Sequence, residues 1–154
     1  MINIREYQSD DVAITWDLKF STIRKVNIQD YTEAQTQAWA PDNFDMALWQ
    51  KRVHGMKPFI AEINGQVVGF ADLQKEGYID HFFCHSDYQG IGVGKALMQH
   101  ILETGRANGV TCFYSHVSLT AKSFFEHFGF KEVKQQQVNI NDQQLTNFVM
   151  EKHF

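Results

Sequence analysis

The segment Tyr88-Gln89-Gly90-Ile91-Gly92-Val93-Gly94-Lys95-Ala96 constrains this chain more than any other. Its three glycines alternate between a strand-like stretch and an amphipathic helix pattern. Residues without a Cβ let a backbone approach a ligand closely, and a helix N-terminus offers unpaired N–H groups with a partial positive charge. Phosphate or pyrophosphate is the natural guest of such a loop; a glycine-rich tight turn is the plain alternative. Two nucleotide motifs fail on spacing. A Walker loop ending at Gly94-Lys95 would need glycine at Gln89 and a hydroxyl residue at Ala96. A dinucleotide fingerprint would need its third glycine at Lys95 or at Leu97. ATP and NAD are therefore disfavoured.

Hydrophobic periodicity frames the loop. Ile2 to Tyr7 alternates as a first strand. Ser9 offers a helix N-cap, with Asp10 and Asp11 in the first turn and a helix to about Lys25. Asp30-Tyr31-Thr32-Glu33 has the form of a capping box, opening a short helix through Trp39 that Pro41 ends. A further helix is expected from Asp45 to His54, stopping near Gly55. The period then changes to two. Phe59–Ile63 and Gln66–Ala71 read as a hairpin turned at Asn64-Gly65. Tyr78 to Cys84 reads as one strand, Gly92 to Asn108 as a helix, Val110 to Val117 as a strand and Thr120 to His127 as a short helix. Val133–Ile140 and Leu145–His153 complete an antiparallel pair turned at Asn141-Asp142. The order β-α-α-α-β-β-β-α-β-α-β-β predicts a mixed α/β (α+β) fold with helices on both faces of a mixed sheet.

Composition narrows the setting. The chain has 154 residues, 44% of them hydrophobic and 21% charged, which fits one ordinary globular domain spanning 1–154. A formal charge of −4 argues against a nucleic-acid partner. Cys84 and Cys112 form no CxxC and no disulfide framework, so a reducing compartment is expected. No apolar run approaches a membrane span, and the polar N-terminus does not resemble a secretory signal. The expectation is a cytoplasmic protein without a membrane partner. His81 and His85 lack zinc spacing in a strand, and no metal is expected.

Gln89-Gly90-Ile91-Gly92-Val93-Gly94 matches the pattern Gln/Arg-x-x-Gly-x-Gly/Ala in full. In this it resembles the acyl-CoA pyrophosphate loop of the GNAT superfamily of N-acetyltransferases. Tyr78 to Phe83 looks like that family's fourth strand. Ser118 to Phe130, with Ala121, Phe124, Phe125, Gly129 and Phe130, is similar to its second motif, Ala-x-x-Phe-Tyr-x-x-x-Gly-Phe. The likeness covers nearly the whole chain. It is closer still to a narrower bacterial group, through Ala38-Trp39-Ala40, Tyr78-Ile79-Asp80 and Thr146-Asn147-Phe148-x-Met150.

The resemblance implies a mostly antiparallel sheet splayed between the fourth and fifth strands, and transfer of acetyl from acetyl-CoA to a small-molecule or peptide amine. It implies that backbone N–H groups of Gly90, Ile91, Gly92, Val93, Gly94 and Lys95 hold the pyrophosphate, with Gln89 at the loop entrance. Phe82, Phe83 and Cys84 would pair with the pantetheine arm like an added strand. Lys95 and Lys122 could reach a phosphate; Ser118, Ala121 and Phe124 would border the cofactor. The family's usual tyrosine acid falls at Phe125, which cannot donate a proton; Tyr88 and Tyr114 are possible substitutes. For the base, Asp80 and His81 are expected on opposite faces of the fourth strand, with one facing the cleft. His116 ends the fifth strand and is a third candidate; Asp72 and Glu62 are weaker ones. Cys84 reads as a core thiol. A different class stays open: an acyl-CoA-binding sensor or partner module that has lost catalysis. The chain is expected to be a monomer or a homodimer formed through the final strand pair.

Overall fold

A computed structural model describes residues 1–154. The chain runs β1 (Ile2–Glu6), α1 (Val12–Lys25), α2 (Glu33–Trp39), α3 (Met46–Met56), β2 (Phe59–Ile63), β3 (Gln66–Ala71), β4 (Tyr78–Ile79), β5 (Phe82–Cys84), α4 (Val93–Ala107), β6 (Cys112–Ser118), α5 (Lys122–His127), β7 (Lys131–Ile140) and β8 (Gln143–His153). The strands form two four-stranded sheets, β1-β2-β3-β5 and β4-β6-β8-β7. All pairings are antiparallel except β4 with β6.

The fold class is the expected one, with one correction that shapes the site. Tyr78 to Cys84 is not one strand. Tyr78 and Ile79 pair with Tyr114 and Ser115, whereas Phe82 to Cys84 pairs with Ala71 to Gly69. The chain changes sheets at Asp80-His81. The cause is Asp72, which is fully buried and whose Oδ1 accepts the backbone N–H groups of both Asp80 and His81 at 2.8 Å. Two backbone donors that would otherwise seek a strand are satisfied by one carboxylate. β5 and β6 therefore lie in different sheets and do not pair, and residues of both line one cleft.

Helix ends differ from expectation for local reasons. Ser9–Asp11 forms a single 3₁₀ turn and α1 begins at Val12. The Asp11 side chain makes no cap bond to α1; it accepts the Gln8 N–H at 2.7 Å, boxing the 3₁₀ turn, and binds Arg5 through both oxygens at 2.8 and 2.9 Å. The box that opens α2 is Thr32 with Gln35, not Asp30 with Glu33. Gly55 lies inside α3; the helix ends at Lys57, which takes φ 49° while its N–H bonds Val53 O.

Helices cover both faces. On one side α1 and α3 bury Trp16, Ile23, Trp49 and Val53 against Ile60 and Phe70. On the other, Val93, Leu97, Met98 and Ile101 of α4 pack with Val68, Ala71 and Phe113. This apolar stripe is the 3.6-residue periodicity of α4 made physical. No helix is long and apolar enough to cross a membrane.

Candidate active site

The cleft between β5 and β6 has a volume of about 560 Å³. β5 forms one wall. The loop from Tyr88 to Gly92 and the first turn of α4 close one end, and the end of β6 with α5 forms the opposite wall.

Backbone groups dominate the loop end. Gly92 adopts φ 98°, and Gly90 φ 73°, conformations that a side chain strains. Gly92 offers no side-chain cap to α4, and the first helical bond runs from Ala96 N to Gly92 O. The N–H groups of Val93, Gly94 and Lys95 therefore point out of the helix end toward the cleft, with the positive end of the helix dipole. A Cβ at Gly94 would sit 3.0 Å from the Phe124 ring, so glycine there keeps α4 close to α5. Gln89 braces the loop: its Nε2 donates to Cys84 O at 2.8 Å and to His85 O at 3.3 Å. The donor set fits a pyrophosphate.

The wall at β5 follows from ladder geometry. His81 O accepts from Asp72 N, and His85 N donates to Val68 O. In an antiparallel ladder bonded residues alternate, so Phe83 also pairs inward with Phe70. Phe82 and Cys84 therefore turn their backbone groups to the open edge. In agreement, Cys84 O receives the Thr22 hydroxyl at 2.9 Å and the Gln89 amide. The backbone donors that β5 offers to the cleft are therefore those of Phe82 and Cys84, and not that of Phe83. Burial pushes the Cys84 thiol up to about 12, which makes it inert at neutral pH.

Ser118, Ala121 and Phe124 line the opposite wall, with Ser118 Oγ accepting from Ala121 N at 3.1 Å. Lys95 lines the loop end and is exposed. Lys122 departs from its expected place: its amine turns to Glu132 of β7 at 2.8 Å and lies over the Phe148 ring, outside the cleft lining. Ile91 is exposed at the loop tip. Phe125 is buried among Phe82, Phe124 and Phe130. Tyr88 is engaged with Gln66, and Tyr114 stacks on Tyr78. The Thr120 hydroxyl, which sequence reasoning did not single out, lines the cleft and is buried without a hydrogen-bond partner.

A second opening, of about 600 Å³, lies beside α3 and is lined by Arg52, Gln74, Lys75, Glu76, Asp80 and His81 among others. Asp80 is the one residue that lines both. The expectation that Asp80 and His81 occupy opposite faces does not hold, because the strand breaks there and its alternation ends. Their side chains meet instead, Asp80 Oδ2 lying 3.0 Å from His81 Nδ1. Asp80 Oδ1 accepts the Tyr78 hydroxyl at 3.3 Å. His81 Nε2 lies 2.9 Å from the Nζ of Lys19, a residue of α1. His81 is buried against Trp49, Phe70 and Phe83. Burial, reinforced by the Lys19 charge, lowers its pKa to about 4, so the imidazole is neutral at pH 7. The hydrogen bond from His81 holds the Asp80 carboxyl below the usual range, so it is ionised. Burial raises Asp72 to about 6. His116 is exposed on the first cleft's rim, edge-on to Tyr78. Glu62 pairs with Arg5 and lines neither opening.

Lys19 was absent from the expected site, yet the sequence carries a signal for it. Thr15, Trp16, Lys19, Thr22 and Ile23 are all buried at helical spacing, so the lysine interrupts the inward face of α1. Away from both openings, Cys112, Glu151 and His153 bring three possible metal-ligating atoms within 4.8 Å of one another on β6 and β8.

Comparison with known proteins assigns the family. Residues 27–152 match the model of the acetyltransferase (GNAT) domain. The chain is 34% identical over 149 residues to an uncharacterized N-acetyltransferase, YafP, of Escherichia coli K12, covering 97% of this chain and 94% of that one. A crystal structure of a GCN5-related N-acetyltransferase from Rhodopseudomonas palustris superposes with a TM-score of 0.94 at 32% identity, over 99% of this chain and 95% of that one. At 16% identity, PaiA N-acetyltransferase from Thermoplasma acidophilum in complex with coenzyme A shares the fold, with a TM-score of 0.76 over 100% and 99% of the two chains. With glycine loop, split sheets and these relatives together, the chain belongs to the GNAT family of N-acetyltransferases.

Proposed function

We propose that this acetyltransferase carries acetyl from acetyl-CoA to an amine that enters from the α3 side, and that the two substrates meet at Asp80. The observation that carries the reading is the position of Asp80, shared by both openings. The pyrophosphate lies against the N–H groups that begin α4, and the pantetheine arm runs along the open edge of β5. Coenzyme A bound to the Thermoplasma relative supports that ligand. A cytoplasmic setting belongs to the same reading, supported by two unpaired thiols.

The chemistry follows from the groups at hand. The attacking amine must be neutral, because an ammonium has no lone pair. A free alkyl amine has a pKa near ~10.4. Its nitrogen forms a bond to the thioester carbon, and the carbonyl oxygen takes up the electron pair, facing the N–H of Phe82 or Cys84. The nitrogen then carries a positive charge and a far more acidic proton. Asp80, an ionised carboxylate, accepts that proton although its own basicity is low. As the intermediate collapses, the C–S bond breaks and the sulfur leaves as thiolate, taking the proton from solvent or from Asp80. A thiol pKa of ~8.5 makes this departure tolerable without an acid, which accommodates Phe125. His81, neutral down to about pH 4, orients Asp80 and does not act as the base at neutral pH.

Replacing Asp80 by Asn keeps shape and removes charge. Coenzyme A release with a panel of amines should fall by about 10²–10⁴ in kcat, the usual weight of general acid–base catalysis. The parent's kcat/KM should climb with the ionisation of the acceptor ammonium, with no limb near 6.5. Near-parental turnover in Asp80→Asn would refute the assignment and direct attention to His116. Phe125 favours a second reading, an acyl-CoA-binding module without turnover. Tight acetyl-CoA binding with no coenzyme A release from any amine would select it.

A further inference from the structure

We propose that Lys19 is a positioning residue: it holds His81 in the Nδ1–H tautomer and, through it, fixes the Asp80 carboxylate at the junction of the two openings. This rests on the acetyl-transfer reading of Asp80.

The argument begins with what Lys19 lacks. A lysine stem is long enough to carry its charge to water, and lysines on a half-buried helix ordinarily do so. Lys19 instead is only 7% exposed. Its Nζ forms no ion pair with a carboxylate; its hydrogen-bond partner is the Nε2 of His81 at 2.9 Å. Around it stand the rings of Trp49 at 5.1 Å, Phe83 at 5.8 Å and Trp16 at 5.9 Å. A buried cation facing a neutral acceptor is a costly arrangement unless it does something.

Donor counting fixes what it does. An ammonium has three donors and no acceptor, so His81 Nε2 must accept. A neutral imidazole whose Nε2 accepts carries its proton on Nδ1. Nδ1–H then donates to Asp80 Oδ2 at 3.0 Å. The reverse tautomer would turn a lone pair toward the carboxylate and a proton toward the ammonium, repelling at both ends. The imidazolium would likewise set a second cation against Lys19. Donor-only Lys19 at the buried end and the acceptor-only Asp80 carboxylate at the exposed end thus demand the same tautomer, and Lys19 is the half of that demand which does not move with Asp80. Asp72 fixes the backbone of residues 80 and 81, while Lys19 fixes their side chains. Without that second anchor, the Asp80 side chain, 42% exposed, would be held only by the 3.3 Å bond from the Tyr78 hydroxyl.

The groups facing Lys19 are the Asp80 charge and the neutral His81 ring from the junction and the Arg52 charge from α3. Burial, with Arg52, brings Lys19 down to about 8 against the opposing pull of Asp80. Below that pH the tautomer is forced. Above it the free amine can accept as well as donate, and the constraint relaxes.

The test pairs spectroscopy with kinetics on the full chain. Long-range ¹⁵N–¹H NMR of His81 should show a protonated Nδ1 and a bare Nε2 in the parent. In Lys19→Met the Asp80 carboxylate alone holds Nδ1–H, so the Nε2–H tautomer should gain measurable population and the His81 pKa should rise above about 4. With one accepted amine, kcat should drop by about tenfold to a hundredfold, the range seen when a group that orients a functional residue is lost. KM for acetyl-CoA should stay put. Lys19→Arg, also donor-only, should keep the Nδ1–H tautomer. A proton on Nε2 in the parent overturns the proposal even if Lys19→Met fails to fold. So does a drop in kcat with the tautomer unchanged, or a changed tautomer with kcat unchanged. Loss of turnover confined to Asp80→Asn, with Lys19→Met active, would leave the acetyl-transfer reading standing and remove Lys19 from it. No turnover in the parent would overturn both, whichever tautomer is seen.

Discussion

The two sides of the sheet junction are built on different plans. The glycine loop and β5 are contiguous in sequence and present backbone groups: N–H donors at the start of α4 and the open edge of Phe82 and Cys84. The Asp80 side is assembled from α1, from the stretch after β3 and from the β4–β5 junction, and presents side chains: Lys19, Asp72, Tyr78, Asp80 and His81. Backbone sites depend on local conformation and tolerate many side chains. Side-chain sites depend on tertiary packing and on protonation. A substitution on the first side should act through φ and steric approach, and one on the second through charge and tautomer.

The largest expected effect is on the backbone side. Gly92→Val should lower acetyl-CoA affinity by at least a hundredfold in a folded protein, because a branched side chain at φ 98° strains the turn and blocks approach to the helix end. Unchanged affinity by calorimetry would break the comparison. Asp72→Ala tests the other plan. It strips two buried N–H groups of their acceptor and should cost about 2–4 kcal/mol of unfolding free energy in a denaturant titration. Asp72→Asn, which keeps an acceptor, should cost less.

Protonation supplies a third test. His81 titrates near 4 in the folded chain and near 6.5 when unfolded, so over that window the unfolded chain binds the extra proton. The stability difference between the parent and His81→Gln should grow as pH rises from about 4 to 6.5, then level off. Asp72 acts with the opposite sign. Its folded pKa of about 6 lies above the unfolded value of 3.8, so its contribution declines as pH rises between them. A parent-minus-variant difference that shrinks with rising pH would show that His81 is not held neutral by burial. The smallest effect belongs to the opposite wall: Phe125→Tyr should change kcat by less than about tenfold. A hundredfold gain would mean that a missing acid, and not Asp80, limits this site.

The same contrast explains what the sequence disclosed. Gln89 to Gly94 names its ligand class because the glycine spacing is itself the geometry. The order of elements was legible from periodicity, since each amphipathic stretch records its own buried face. The break at Asp80-His81 was not legible. Tyr78 to Cys84 alternates as a strand should, and only the Asp72 carboxylate, eight residues before Asp80 in the chain, diverts its backbone. Lys122 was misplaced because a lysine near a phosphate site and a lysine beside Glu132 look alike until β7 is in position. Lys19 is the instructive omission, since a cation on the inward face of a helix is visible in sequence while its partner, 62 residues away, is not.

β7 carries a consequence of a different kind. It is ten residues long and stands at the end of its sheet, hydrogen-bonded on one side to β8 alone. A free edge of that length is a template on which a second chain could assemble. The strand meets that hazard with Lys131, Glu132, Lys134 and three consecutive glutamines, Gln135 to Gln137, nearly all exposed, and with a register shift between Glu132 and Lys134. Charge and irregularity together make the outer edge a poor docking strand. The same protein thus leaves open the three-residue edge of β5, along which the proposed acetyl-CoA arm would pair like a strand, while the much longer edge of β7 carries features that oppose strand addition.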